Sequence, residues 1–260
     1  MIGTKSGSIV LQKRDLALFR ILWLLRVADR EQIKMLAGFT STTRINLRLL
    51  KLTRAGFLRR FFVGTAVRKA IYALSAKAAE LIGVSLRGPR RKQDETLVAD
   101  YFIEHQLAIN NLYCSFKAHP IPIAEVTFRD WQSFHQAIVP GLRLIPDGYA
   151  EFNTPEGVLS TFLEVDLGHE SLKIWKEKVT NYLRLATSGE FEKRFKNSRF
   201  RVCVIARSER RTRSIRQAVR GLTTKLFWFT SLDHVEANGF FGPIWLRLIG
   251  ENVQGFVQTP

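Results

Sequence analysis

Residues 40–60 predict one amphipathic helix with a clear start and a clear end. Thr40 or Ser41 can accept the first backbone N–H hydrogen bonds of such a helix, and Gly56 can end it in a left-handed conformation. Two stripes repeat at helical spacing along the roughly four turns between these residues. The apolar stripe is formed by Ile45, Leu49 and Leu52, and the basic stripe by Arg44, Arg48 and Lys51. The apolar stripe is therefore expected to face a core, while the basic stripe faces either a polyanion or only solvent.

The formal net charge of +17 lies almost wholly in the first third of the chain. Residues 1–93 contain 20 Lys and Arg against 4 Asp and Glu, whereas residues 94–260 contain 20 against 19. A charge that only kept the surface solvated would not divide in this way, so the first third is expected to bind a polyanion. Helices that lie on anionic membranes need a wide apolar face. The helices predicted here lack one, so we expect a nucleic acid as the partner and no membrane.

Size and cysteine content limit the class of protein. The 260 residues, 46% of them hydrophobic, suffice for one large domain or two small ones. Cys114 and Cys203 lack the spacing of a metal site and are expected to be buried free thiols in a reducing compartment. The apolar run from residue 16 to residue 25 is broken by Arg20, is about half a membrane span long and lacks a cleavage site behind it. We therefore expect a cytoplasmic protein.

The first third predicts three helices, a hairpin and a closing helix. These are helices over residues 14–27 and 30–36, the helix between residues 40 and 56, strands over 57–63 and 69–74 around a basic tip at 64–68, and a helix over 76–82. This order, together with the run from Leu49 to Leu58, resembles the winged-helix family of DNA-binding domains. The resemblance implies that the third helix enters the major groove and that the hairpin reaches phosphates. The residues predicted to contact DNA are Arg44, Arg48, Lys51, Arg54, Arg68 and Lys69.

A basic Gly-Pro segment marks a domain boundary, because it coincides with the change in charge balance. The predicted division is a flexible arm over residues 1–12, a winged-helix domain over 13–86, a basic linker over 87–93 and a second domain over 94–256. The overall fold class is therefore expected to be α+β, with a winged helix-turn-helix domain followed by an α/β domain.

The second domain predicts helices that alternate with strands around a central mixed sheet. The predicted helices cover residues 94–117, 169–186 and 210–220, and the predicted strands cover 121–128, 148–153, 158–165, 201–206, 225–229 and 244–248. The arginine-rich run from Arg207 to Arg216 opens the last helix. It is either a second DNA contact or a solvated helix face.

Three carboxylates form the candidate chemical centre. Glu164 and Asp166 point to the same face of their predicted strand, and Asp147 starts the preceding strand of the hairpin. An antiparallel pair could bring them together, and a hard cation such as Mg²⁺ would relieve their repulsion, hold a scissile phosphate and activate water. In the alternative interpretation, Asp147 caps a turn, and Glu164 and Asp166 form hydrogen bonds or ion pairs near a strand end.

This order of residues resembles the motif of the restriction-endonuclease-like superfamily, PD-(D/E)xK. In this chain it is formed by Pro146-Asp147 and, after a spacer, Glu164-x-Asp166. The chain departs from that motif because Asp166 stands where the lysine is expected. Lys173 or Lys178 on the following helix could replace it, and Lys178 is the preferred candidate. The resemblance implies Asp147, Glu164, Asp166 and Lys178 as catalytic residues, with Asp147 and Glu164 as Mg²⁺ ligands. A degenerate nuclease fold kept only for binding remains an alternative.

The whole arrangement, over roughly residues 13–230, resembles the replication-relaxation family of plasmids and other mobile elements. The resemblance implies a DNA-binding protein that acts in replication, relaxation or transfer. Other replication or transfer proteins and a second copy of the chain are candidate partners. Two alternatives stay open. One is an active Mg²⁺-dependent endonuclease or nickase, and the other is a dimeric transcriptional regulator.

Overall fold

The computed structural model describes residues 9–64, 68–88, 92–97 and 100–257. Its contacts divide the chain into two compact units, residues 1–118 and residues 119–260. Within the described ranges the fold is α+β, with nine helices, a four-stranded sheet and a seven-stranded mixed sheet. None of these helices combines the length and the hydropathy of a membrane span.

The first unit begins with the predicted order of elements. Its helices are α1 (Lys13–Leu25), α2 (Arg30–Leu36), α3 (Thr42–Arg54), α4 (Ala76–Leu81) and α5 (Tyr101–Ala118), and its strands are β1 (Ala28–Asp29), β2 (Leu58–Val63), β3 (Lys69–Leu74) and β4 (Thr96–Leu97). The sheet order is β1-β3-β2-β4. Parts of four predicted segments lie outside the described residues, namely residues 1–8 of the arm, 65–67 of the hairpin tip, 89–91 of the linker and 98–99 of the helix predicted over 94–117.

Short polar side chains start three of these helices, as the sequence predicts for Ser41 of α3. The side chain of Asp29 accepts a hydrogen bond from Gln32 N at 2.8 Å, and Ser41 and Ser75 cap α3 and α4 in the same way. Gly56, with φ +78°, lies just beyond α3. The predicted apolar stripe of α3 is fully buried in a core that includes Leu18, Phe19 and Leu22.

Helix α5 differs from its prediction. Thr96 and Leu97, predicted as helix, form β4 and pair with β2 in parallel, and α5 begins only at Tyr101. The helix packs within the first unit, where Asn110 Nδ2 donates to the carbonyl of Val27 at 2.6 Å. Ile103 joins a small core with residues of β2 and β3. The division by contacts therefore falls after residue 118, later than the predicted linker at 87–93.

The second unit is built on the seven-stranded sheet. Its strands are β5 (Thr127–Gln132), β6 (Gly148–Thr154), β7 (Gly157–Asp166), β8 (Arg201–Ala206), β9 (Phe227–Ser231), β10 (Trp245–Arg247) and β11 (Val253–Gln254), in the order β11-β10-β9-β8-β7-β6-β5. Its helices are α6 (Leu172–Thr187), α7 (Glu190–Phe195), α8 (Glu209–Val219) and α9 (Leu232–Asn238). Strands β5 to β7 are antiparallel, β7 to β9 are parallel, and β10 and β11 are again antiparallel. The predicted central mixed sheet is confirmed.

One predicted strand is shifted along the chain. Residues 121–128 were expected to be extended, but β5 runs over Thr127–Gln132. Pro120 and Pro122 lack the N–H groups that a sheet needs, so the apolar run beside them forms bends and turns.

Aromatic side chains hold α6 and α7 against the sheet. The ring of Phe162 on β7 lies 5.1 Å from that of Tyr149 and 5.4 Å from that of Tyr182. Trp175 and Tyr182 of α6 are fully buried. This aromatic packing fixes the face of α6 that meets β7, where the candidate carboxylates lie.

Cys114 and Cys203 are buried free thiols, as predicted.

We expect a fragment of residues 1–118 to unfold in one cooperative transition, and a fragment of residues 1–93 to lack that transition because it has no α5. In the longer fragment, Asn110→Ala should lower the free energy of unfolding by about 1–3 kcal/mol, since it leaves the buried carbonyl of Val27 without this donor. Urea unfolding followed by circular dichroism measures both effects.

Ser115→Ala on the same helix is the matched control. The Ser115 hydroxyl donates only to the carbonyl of Leu112, within its own helix, so we expect a change within about 0.5 kcal/mol. Equal cooperativity of the two fragments would contradict the assignment of α5 to the first unit.

Candidate functional site

The carboxylates at the end of β7 face α6. Glu164 and Asp166 lie two residues apart on the strand and are 0% and 1% exposed. Asp147 directly precedes β6, and its Oδ2 accepts a hydrogen bond from Val165 N at 2.8 Å. This bond ties Asp147 to the end of β7 beside Glu164.

Lys178 and Tyr182 of α6 close over Glu164. Lys178 Nζ lies 2.8 Å from Glu164 Oε2 and 2.7 Å from Glu170 Oε1, and the Tyr182 hydroxyl donates to Glu164 Oε1. The two donors are four residues apart and therefore lie on one face of the helix. The preferred candidate, Lys178, thus contacts Glu164, while Lys173 is exposed on the outer side of α6. Glu170 was not identified from the sequence because it follows β7 in a loop and matches no motif position.

Burial and charge shift the pKa values of this cluster. The pKa of Glu164 is raised to about 7. Burial is the largest cause, the Lys178 ammonium opposes the shift, and the charge of Asp147 adds to it. For Lys178, burial lowers the pKa, but the carboxylates of Glu164, Asp147 and Glu170 outweigh burial and raise it above its ordinary value. Lys178 is therefore a charged ammonium at neutral pH.

Asp166 has a separate set of partners. It accepts hydrogen bonds from Trp175 Nε1 and Gly168 N, and from Arg211 Nε and Nη2 at 3.1 and 2.8 Å. Burial alone would raise the pKa of Asp166, but the hydrogen bonds from Arg211, Trp175 and Gly168 lower it below its ordinary value. The structure therefore brings Asp147, Glu164 and Lys178 together, whereas Asp166 is bound by Arg211 of α8.

The carboxylates as arranged do not fit a magnesium ion. Both oxygens of Glu164 already accept hydrogen bonds, and one oxygen of Asp147 is bound to Val165 N. Mg²⁺ prefers octahedral oxygen coordination. Within the described residues, no group of three His, Cys, Asp or Glu side chains is arranged to hold a metal ion. The Lys178 ammonium balances the negative charge of these carboxylates, as a metal ion would.

The outer face of α3 is cationic, but Arg48 is turned away from it. Arg44, Lys51 and Arg54 are exposed, and no carboxylate of the described ranges forms an ion pair with them. Arg48 instead forms an ion pair with Asp15, which is 1% exposed, and donates to the carbonyl of Val10 at 2.9 Å. Sequence spacing alone could not separate Arg48 from the other basic residues, because its partner lies 33 residues earlier.

The hairpin contributes one exposed and one paired cation. Arg68 is exposed beside β3. Lys69 Nζ lies 2.6 Å from Asp29 Oδ2, although the lysine side chain remains 57% exposed. Of the six residues predicted to contact DNA, Arg48 and Lys69 are therefore also bound to carboxylates of the fold.

A family model described as replication-relaxation matches residues 19–198, which is more than half of the chain. The chain belongs to the replication-relaxation family. No curated protein and no solved structure matches it significantly. The replication-relaxation match spans α3, β6, β7 and α6, and thus includes Asp147, Glu164 and Lys178. Arg211, the partner of Asp166, lies beyond the matched residues.

We expect Asp166→Asn to lower the free energy of unfolding by about 3 kcal/mol at pH 7, because it removes the charge that neutralises Arg211. The lowered pKa of Asp166 gives stability that is present above its ordinary value of 3.8 and is lost as the pH falls through the value in the folded state. The difference between native and variant chains should therefore shrink below about pH 4. Urea unfolding at a series of pH values measures it.

Asp130→Asn, an exposed carboxylate on β5, is the control and should change stability by less than about 0.5 kcal/mol. An Asp166→Asn variant with native stability at pH 7 would contradict the structural role of Asp166.

Proposed function

We propose that this protein binds double-stranded DNA through α3 and the β2–β3 hairpin and acts in the replication or relaxation of plasmid or mobile-element DNA. The observation that carries the proposal is the exposed cationic face of α3, where Arg44, Lys51 and Arg54 have no carboxylate partner among the described residues. Membership of the replication-relaxation family supports the biological setting.

The order of three helices and a hairpin supports a winged-helix interpretation of this face. In such folds the third helix lies in the major groove. Helix α3 has the features that this role requires, namely a buried apolar stripe that anchors it and an exposed face of long basic side chains. Arg68 at the hairpin is in a position to reach a neighbouring phosphate.

A nuclease-like ancestry is proposed for the second unit. An antiparallel set of three strands is followed by a helix and a parallel strand, and the carboxylates lie where the second and third of these strands meet. The burial of Glu164 under Lys178 and Tyr182 favours a role in which this centre stabilises the unit. DNA recognition is then the primary function.

Duplex binding tests the first proposal. Each phosphate contact contributes about 0.9 to the slope of log affinity against log salt concentration. Arg44→Ala with Lys51→Ala should therefore weaken binding to a random-sequence duplex and reduce that slope by about 1.8. Fluorescence anisotropy at several salt concentrations measures both quantities. Arg48 is left intact because its loss would leave the buried carboxylate of Asp15 without its cationic partner.

Arg20→Ala with Lys92→Ala is the matched control, since both residues are exposed and the loss of charge is the same. The same slope change in the control pair would show a bulk charge effect and contradict the α3 assignment. Binding of a dimer at one palindromic site would instead support the transcriptional regulator.

A Mg²⁺-dependent nickase is the second candidate, because Asp147, Glu164 and Lys178 lie near one another at the ends of β6 and β7 and on α6. The motif requires a lysine near its two acidic residues, and Lys178 meets that requirement from α6. Since both Glu164 oxygens are engaged, this function requires the ion pair to open when a metal binds.

If the protein is a nickase, the native chain should convert supercoiled plasmid to the open circle with Mg²⁺ or Mn²⁺. Asp147→Asn and Lys178→Ala should each reduce the rate by about a hundredfold or more. Glu156→Gln, in the exposed β6–β7 turn, is the control and should cleave at the native rate. Gel electrophoresis of the plasmid forms measures the rate. An inactive native protein across both metals would remove this candidate and leave the proposal of DNA binding intact.

A further inference from the structure

The second unit carries a groove of about 1040 Å³ along the outer face of α6. One wall runs along the helix from Lys173 to Arg184, a length of about 16 Å at 1.5 Å per residue. The other wall is the loop of residues 137–145. Asn181 Nδ2 donates to the carbonyl of Arg143 at 2.9 Å and ties this loop to the helix. The two walls are thus joined by a hydrogen bond.

Unpaired cations line this groove. Arg143, Lys173, Lys176 and Arg184 are exposed, and no carboxylate of the described residues forms an ion pair with any of them. Glu177 is the one carboxylate that the described part of the chain contributes to the lining. Lys178 also reaches the groove, but Glu164 and Glu170 neutralise it. The groove therefore carries a local excess of positive charge that is complementary to a row of phosphates.

Aliphatic side chains lie between the cations. Ile145 is 51% exposed, Ile174 is 42% exposed and Leu222 is 41% exposed, and all three line the groove. A duplex keeps its bases stacked inside and offers mainly phosphates to a basic groove. An unpaired strand offers both phosphates and the faces of its bases. Its bases can therefore cover the exposed aliphatic side chains while its phosphates contact the cations.

We infer that this groove binds an unpaired DNA strand. Arg143, Lys173, Lys176 and Arg184 contact its phosphates, and the exposed aliphatic side chains contact its bases. This site goes beyond the duplex contact proposed for α3, since it lies on the other unit and uses different residues.

Binding of a labelled oligothymidine of about 16 nucleotides to the full chain tests the inference. Arg44→Ala and Lys51→Ala are included in every chain to suppress the α3 surface. On that background, Lys173→Glu with Lys176→Glu should weaken binding about tenfold or more and reduce the salt slope by about 1.4, because each single-strand phosphate contact contributes about 0.7. Fluorescence anisotropy at several salt concentrations gives both values.

Lys193→Glu with Lys196→Glu is the matched control. These residues belong to the same unit, have the same spacing and charge change, and do not line the groove. Affinity for oligothymidine should stay within about twofold of the background chain. Equal weakening in both pairs, or no oligothymidine binding by the background chain at low salt, would overturn the inference.

Arg143→Ala with Arg184→Ala provides a second variant that removes side-chain charge from both walls and leaves the Arg143 carbonyl in place. It should also weaken binding of oligothymidine, and an unchanged affinity would contradict the inference. Duplex binding by chains with an intact α3 reports on the proposed function, so the failure of either proposal can be recognised separately.

Discussion

The complete burial of Glu164 is the constraint on which the second unit depends. A carboxylate without water needs donors for both oxygens, and Lys178 and Tyr182 supply them from consecutive turns of α6. This requirement fixes how α6 lies on β7 and orients its remaining side chains. Trp175 then meets Asp166, while the basic residues between the buried positions turn outward into the groove.

The same principle shapes the first unit. Asp15 is buried at the start of α1 and needs a cation, and Arg48 of α3 supplies it. The ion pair joins the first helix to the proposed DNA-binding helix, so one basic residue of the stripe orients α3 while its neighbours stay in solvent. Lys69 and Asp29 form a comparable link between the hairpin and the start of α2. Basic residues in this unit therefore serve both the fold and the proposed contact with DNA.

Local sequence signals predicted most of the elements, because caps, glycines and apolar spacing act over a few residues. Ser41 starts α3 as expected, and Asp29 and Ser75 start α2 and α4 in the same way. The sequence also predicted that Lys178 could approach the acidic residues. It could not predict that Arg211 binds Asp166, or that Arg48 binds Asp15, because these partners are 45 and 33 residues apart. The change in charge balance before α5 assigns this helix to the second unit. Its buried residues contact Val27 and the hairpin strands, which precede it in the chain.

The place of α5 has a consequence for folding during synthesis. Ile103 and Asn110 of α5 cover Val27 and the apolar side chains of the hairpin strands. Residues 1–93 are therefore synthesised before the helix that buries these groups. At about 5–20 residues per second, the ribosome needs roughly one to five seconds to add the next 25 residues. The nascent chain therefore exposes part of its apolar interior during this interval, and a chaperone or an early DNA contact would meet an unfinished domain.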